Sequence, residues 1–71
     1  MGKPTSVTNR IRKLRFEADE MTQAALAEQV GVTRQTINAI EQGKYSPSLE
    51  VAFQIALALN RSLDEVFQYE G

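Results

Sequence analysis

Arg34, Gln35, Asn38 and Gln42 recur at the spacing of one helical face, while Ile37 and Ile40 fall on the opposite face. Guanidinium and carboxamide groups held on one rigid face can read bases. An arginine pairs through two N–H groups with O6 and N7 of guanine, and a glutamine or asparagine pairs with N6 and N7 of adenine. Each good pair discriminates against a wrong base by roughly 1–3 kcal/mol. Arg34 and Gln35 stand in the first turn, the part of such a helix that goes deepest into the major groove, and Thr36 can reach a thymine methyl or a phosphate. Ala39 shares this outward face. Solvent alone also produces polar helix faces, so the flanking residues decide. Gln23 opens the preceding helix, where its side chain and the backbone N–H groups can meet a phosphate; Lys44 and Tyr45 follow the polar helix, where they can hold another. A polar face between phosphate anchors points to double-stranded DNA as the partner.

Two short helices must position this set. Leu26, Ala27 and Val30 form one apolar stripe, Gly31 interrupts it, and Val32, Ile37 and Ile40 form a second. Glycine after Val30 can take the positive φ that ends a helix, and Thr33 can cap the next one, so the turn is three residues long. Ala27 is small where the second helix must approach closely.

Elsewhere the chain punctuates itself. Residues 1–6 have no periodic apolar face and are expected to form a flexible tail, with the domain occupying 7–71. Val7, Ile11, Leu14 and Ala18 recur at helical spacing, with Thr8 as a cap, which predicts a first helix ending near Glu17. Asp19 to Met21 reads as a loop, Thr22 caps the second helix, and the third runs from Arg34 to about Gln42, stopped by Gly43. Pro47 and Ser48 open a fourth helix that Asn60 ends. Ser62 and Glu65 make a capping box for a short fifth from Leu63 to Val66 or Phe67. Phe67-Gln68-Tyr69 alternates like a short strand. The expected fold class is all-α with five helices.

Composition narrows the function. A chain of 71 residues holds one modest core. It has neither cysteine nor histidine, so disulfides and the common zinc sites are excluded, and no nucleophile paired with a base can be assembled. We therefore expect neither an enzyme nor a metal or other cofactor. The net charge is −1, yet Lys3, Arg10, Arg12, Lys13 and Arg15 precede the first acid, so the basic surface is a local patch on a mildly acidic body. The apolar run from Val51 to Leu59, broken at Gln54, is too short to span a bilayer, and a cytoplasmic protein is expected.

That run is apolar around most of its circumference. Ala52, Ile55, Ala56 and Leu59 can pack inward, which leaves Phe53 and Leu57, joined by Leu63 or Phe67, as a candidate homodimer patch. The alternative is a helix wrapped on all sides at the centre of the bundle. A two-fold dimer spaces two reading helices by about 34 Å, one turn of B-DNA, and implies a palindromic operator.

The stretch MTQAALAEQVGVTRQTINAIEQGKYSPSLEVAFQIALAL, followed by SLDEVF, resembles the Xre/Cro family of helix-turn-helix regulators, related to lambdoid phage repressors. The resemblance implies a five-helix, lambda-repressor-like DNA-binding domain in which Gln23 binds backbone phosphate, Arg34, Gln35, Thr36 and Asn38 face the groove, and Thr33 and Lys44 contact the backbone. It implies that Arg15 pairs with Glu41, and that strand 67–69 pairs with Ser6 to Thr8. Ala39 departs from the polar residue common at that position in phage repressors, so base readout rests on fewer side chains, and Ala25 stands where glutamate is frequent. The implied function is a sequence-specific transcription repressor acting as a homodimer. The competing reading is an antitoxin or other regulator whose main partner is a protein.

Overall fold

The computed structural model describes residues 5–70. A short strand, β1 (Val7–Asn9), leads into five helices, α1 (Ile11–Glu17), α2 (Gln23–Val30), α3 (Arg34–Glu41), α4 (Leu49–Leu59) and α5 (Leu63–Val66), and the chain closes with β2 (Phe67–Tyr69). The fold is the expected five-helix domain with a terminal β-pair.

Local chemistry sets most boundaries. Thr22, Thr33 and Ser48 sit in extended conformation, and their hydroxyls accept from the N–H of Ala25, Thr36 and Val51. Each satisfies a donor that the first helical turn leaves unpaired. Gly31 ends α2 at φ +86°, and Gly43 reverses the chain after α3 at φ +73°. The Lys44 and Gly43 amides then donate to Ala39 and Ile40, closing the end of α3. Asn60 does the same for α4 at φ 58°, and the Ser62–Glu65 capping box is formed on both sides.

The start of α1 differs from the helical spacing. Val7 and Thr8 are in β1, and Thr8 caps nothing; the Ile11 N–H is instead met by Asn9 Oδ1 at 3.1 Å. The strand wins because Val7–Asn9 finds a partner at the far end of the chain. β1 and β2 run antiparallel with Val7 opposite Tyr69, Thr8 opposite Gln68 and Asn9 opposite Phe67, one residue later than the implied pairing of 6–8. The Glu70 N–H donates to the Ser6 carbonyl at 2.8 Å, so the pairing reaches one residue into the expected tail; residues 1–4 of that tail lie outside the described residues. Helix α3 ends at Glu41, one residue before the expected Gln42.

One core joins all five helices: Ile11 and Leu14 from α1, Leu26, Ala27 and Val30 from α2, Ile37 and Ile40 from α3, Ile55, Ala56 and Leu59 from α4, and Val66 from α5. Ile37 and Ile55 are fully enclosed, each burial stabilising by about 1.5–3 kcal/mol. Helix α4 buries Ala52, Ile55, Ala56 and Leu59, as its pattern required. It is not wrapped on all sides.

Candidate nucleic-acid interface

Burying Ile37 and Ile40 turns the other side of α3 outward. Arg34, Gln35 and Gln42 are exposed, and Thr36, Asn38 and Ala39 are half-buried along the same face. Thr33 is exposed at the cap, where its hydroxyl lies 3.0 Å from that of Thr36. Lys44 and Tyr45 are exposed just past the end of α3. Seven of the eight expected DNA contacts, Thr33, Arg34, Gln35, Thr36 and Asn38 together with Lys44 and Tyr45 at its end, therefore follow the line of α3; Gln23 joins them from α2.

Gln23 arrives in a specific way. Arg15 on α1 grips Glu41 with two bonds, Nε to Oε2 at 2.6 Å and Nη2 to Oε1 at 3.1 Å, and its Nη1 donates to the Met21 carbonyl at 2.8 Å. The implied ion pair is present and well enclosed, the Arg15 and Glu41 side chains being 14% and 8% exposed. Gln23 Nε2 donates to Glu41 Oε1 at 3.1 Å and to Asn38 Oδ1 at 3.2 Å, and Gln42 Nε2 also donates to Asn38 Oδ1 at 3.3 Å. These residues, with Arg12, line one open hollow between α1, α2 and α3. The Gln23 side chain thus faces its neighbours, while the first N–H groups of α2 have no partner within the helix.

The ion pairs found among the described residues use only Arg15 and Arg61 as cations, so Arg12, Arg34 and Lys44 present uncompensated charge. In the sequence Arg12 is simply one of five basic residues that precede the first acid. Its place at the rim of the hollow follows from the packing of α1, which the spacing of charges does not disclose.

The candidate dimer residues divide. Phe53 and Leu57 are 49% and 78% exposed, with Leu49, 67% exposed, extending them to a stripe four residues apart along α4. Leu63 and Phe67 are half-buried and line a shallow hollow with Val7 and Tyr69. Among the described residues there is no cluster of three metal-ligating side chains, and no helix long and apolar enough to cross a membrane.

A helix-turn-helix family model matches residues 11–66, from the first residue of α1 to the last of α5. This chain belongs to the helix-turn-helix family. A helix-turn-helix-type transcriptional regulator of Methanocaldococcus jannaschii is 52% identical over 50 residues, covering 70% of this chain and 76% of that protein. Among solved structures, a candidate DNA-binding protein from Bacteroides fragilis superimposes with a TM-score of 0.77 at 31% identity, over 87% of this chain and 98% of its own. The restriction-modification controller protein C.AhdI from Aeromonas hydrophila gives 0.70 at 31% identity, over 78% and 82%. The Xre/Cro resemblance agrees with these matches, and the family is one of DNA-binding regulators, not of enzymes.

Proposed function

We propose that this helix-turn-helix protein is a sequence-specific transcription repressor, located in the cytoplasm, that binds a palindromic operator as a homodimer without a cofactor. The observation that carries the reading is the outward face of α3: exposed Arg34 and Gln35 in its first turn, with Thr36 and Asn38 behind them, set on buried Ile37 and Ile40. Arg34, Gln35, Thr36 and Asn38 face the major groove, and Thr33, Lys44 and Tyr45 hold the backbone on either side. Gln23 holds it through the N–H groups at the start of α2, because its side chain is committed to Asn38 and Glu41. Repression follows from occupancy of promoter DNA.

The homodimer uses the stripe Leu49, Phe53 and Leu57, together with Leu63 and Phe67. Three large apolar side chains standing in water on one face of α4 support it. The same stripe is where a protein partner such as a toxin would sit. The test is selection of bound duplexes from a random pool, with the molecular mass of the free protein measured in parallel. A two-fold symmetric consensus and a dimer mass are expected; no enrichment over random sequence overturns the DNA-reading assignment, and a second protein that co-purifies in equal amount favours the alternative.

A further inference from the structure

The polarity of the hydrogen bonds behind α3 is fixed by charge. Glu41 is gripped by the Arg15 guanidinium through two bonds, and its carboxylate only accepts. Whatever faces Glu41 Oε1 from Gln23 must donate, so the Gln23 amide presents its Nε2 there, at 3.1 Å. The second hydrogen on that nitrogen points at Asn38, which must answer with oxygen, and Oδ1 does so at 3.2 Å. Gln42 Nε2 takes the other lone pair of the same oxygen at 3.3 Å. Two donors thus occupy both acceptor sites of Asn38, and its Nδ2 hydrogens are what remain for a ligand.

We infer that Asn38 meets DNA as a hydrogen-bond donor alone, its orientation set through Gln23 by the Arg15–Glu41 ion pair. The inference rests on the reading of α3 as the groove helix. It goes beyond that reading by changing which base Asn38 selects. An asparagine that selects adenine needs its oxygen for the N6 amino group and its nitrogen for N7. With the oxygen spent on Gln23 and Gln42, the side chain suits bases that offer acceptors. Guanine offers two side by side, O6 and N7; thymine O4 and adenine N7 offer one each; the cytosine amino group offers none. Guanine is therefore favoured at this position and cytosine is the worst choice. Gln23, Gln42 and Glu41 are positioning residues for this preference.

Selection from random duplexes with the full chain tests it in three forms: unaltered, Asn38→Ala, and the double variant Gln23→Ala/Gln42→Ala. The base position that Asn38 reads is the one whose preference Asn38→Ala flattens. In the unaltered protein that position is expected to favour guanine over cytosine by at least about fivefold, the lower end for a good base contact. In the double variant the freed Oδ1 accepts from the adenine amino group, and adenine rises there while the positions read by Arg34 keep their preference. Gln42→Ala alone, at an exposed residue, gives the same direction of change more weakly and guards against loss of folding in the double variant. Adenine preferred by the unaltered protein, or an identical preference in all the glutamine variants, overturns the inference and leaves the DNA-reading function intact. Absence of any consensus in the unaltered protein overturns both.

Discussion

Glu41→Ala removes one partner of the enclosed ion pair. The Arg15 guanidinium then keeps only the Met21 carbonyl at 2.8 Å, and Gln23 loses an acceptor at 3.1 Å. Stranding one charge of a buried pair costs about 3–5 kcal/mol. Arg15 is 14% exposed, so water partly rehydrates it, and a loss of about 2–3 kcal/mol is expected. A chain of 71 residues has roughly 4–11 kcal/mol of stability in total, so this is a large fraction. At about 4–8 °C per kcal/mol, the thermal midpoint should fall by about 10–20 °C. Circular dichroism melts and urea titrations measure it, the urea slope staying constant if only stability changes. The matched control is Glu17→Ala, whose partner Arg61 lies 3.1 Å away with both side chains about two-fifths exposed; such pairs contribute less than about 1 kcal/mol. Replacing both partners by apolar residues, Arg15→Met with Glu41→Leu, should recover most of the loss. DNA affinity should drop with stability in Glu41→Ala, because the pair fixes the end of α3 against α1. A midpoint that falls no further in Glu41→Ala than in Glu17→Ala would refute the reasoning.

Arg34→Ala should relax preference at one base per half-site, whereas Lys44→Ala should weaken specific and random duplexes alike and reduce the salt slope by about 1; parallel losses for both variants contradict the assignment. Leu57→Glu, at a residue 78% exposed, should leave the fold intact, give a monomer by sedimentation equilibrium and weaken operator binding; an unchanged mass removes α4 from the interface. The Ser62 backbone N–H, then its hydroxyl, hold the Glu65 carboxyl below the ordinary carboxylate range. A folded pKa below the unfolded one contributes stability that is complete above the unfolded pKa and disappears as pH falls through the folded one. The difference in stability between the unaltered protein and Glu65→Gln should therefore shrink on acidification, and a difference that grows counts against the capping box.

What was legible in the chain was local. Thr22, Thr33, Ser48, Asn60 and the Ser62–Glu65 box each act within four residues of themselves, so their positions alone predict the ends of α2 to α5. The apolar periodicity named the buried faces of α2, α3 and α4 for the same reason. Val7 misled because its spacing to Ile11, Leu14 and Ala18 fits a helix, while the strand that claims it is 60 residues away at Phe67–Tyr69. Nothing near Val7 encodes that partner. Leu49 stands outside the apolar run from Val51 to Leu59, separated from it by Glu50, so the run does not disclose that it opens the exposed stripe on α4. The direction of the Gln23 amide was equally hidden, since it depends on a carboxylate from α3 and a guanidinium from α1 meeting in space.

These non-local ties explain how an eight-residue helix can serve as a reading head. A helix this short is not stable in isolation. Its C-terminal half is held four ways: Ile40 in the core, the Asn9 amide on the Ile40 carbonyl at 2.9 Å, Arg15 on Glu41, and Gln23 on Asn38 and Glu41. Its first turn is held by the Thr33 cap and by Ile37, and Arg34 and Gln35 stand out in solvent. The stiff end fixes the angle of α3 and the orientation of Asn38, while the free end keeps two long side chains able to adjust to base edges. Changes at Arg15 or Glu41 should therefore alter how the helix is aimed, changes at Gln23 how the Asn38 amide is turned, and changes at Arg34 or Gln35 which bases the first turn prefers.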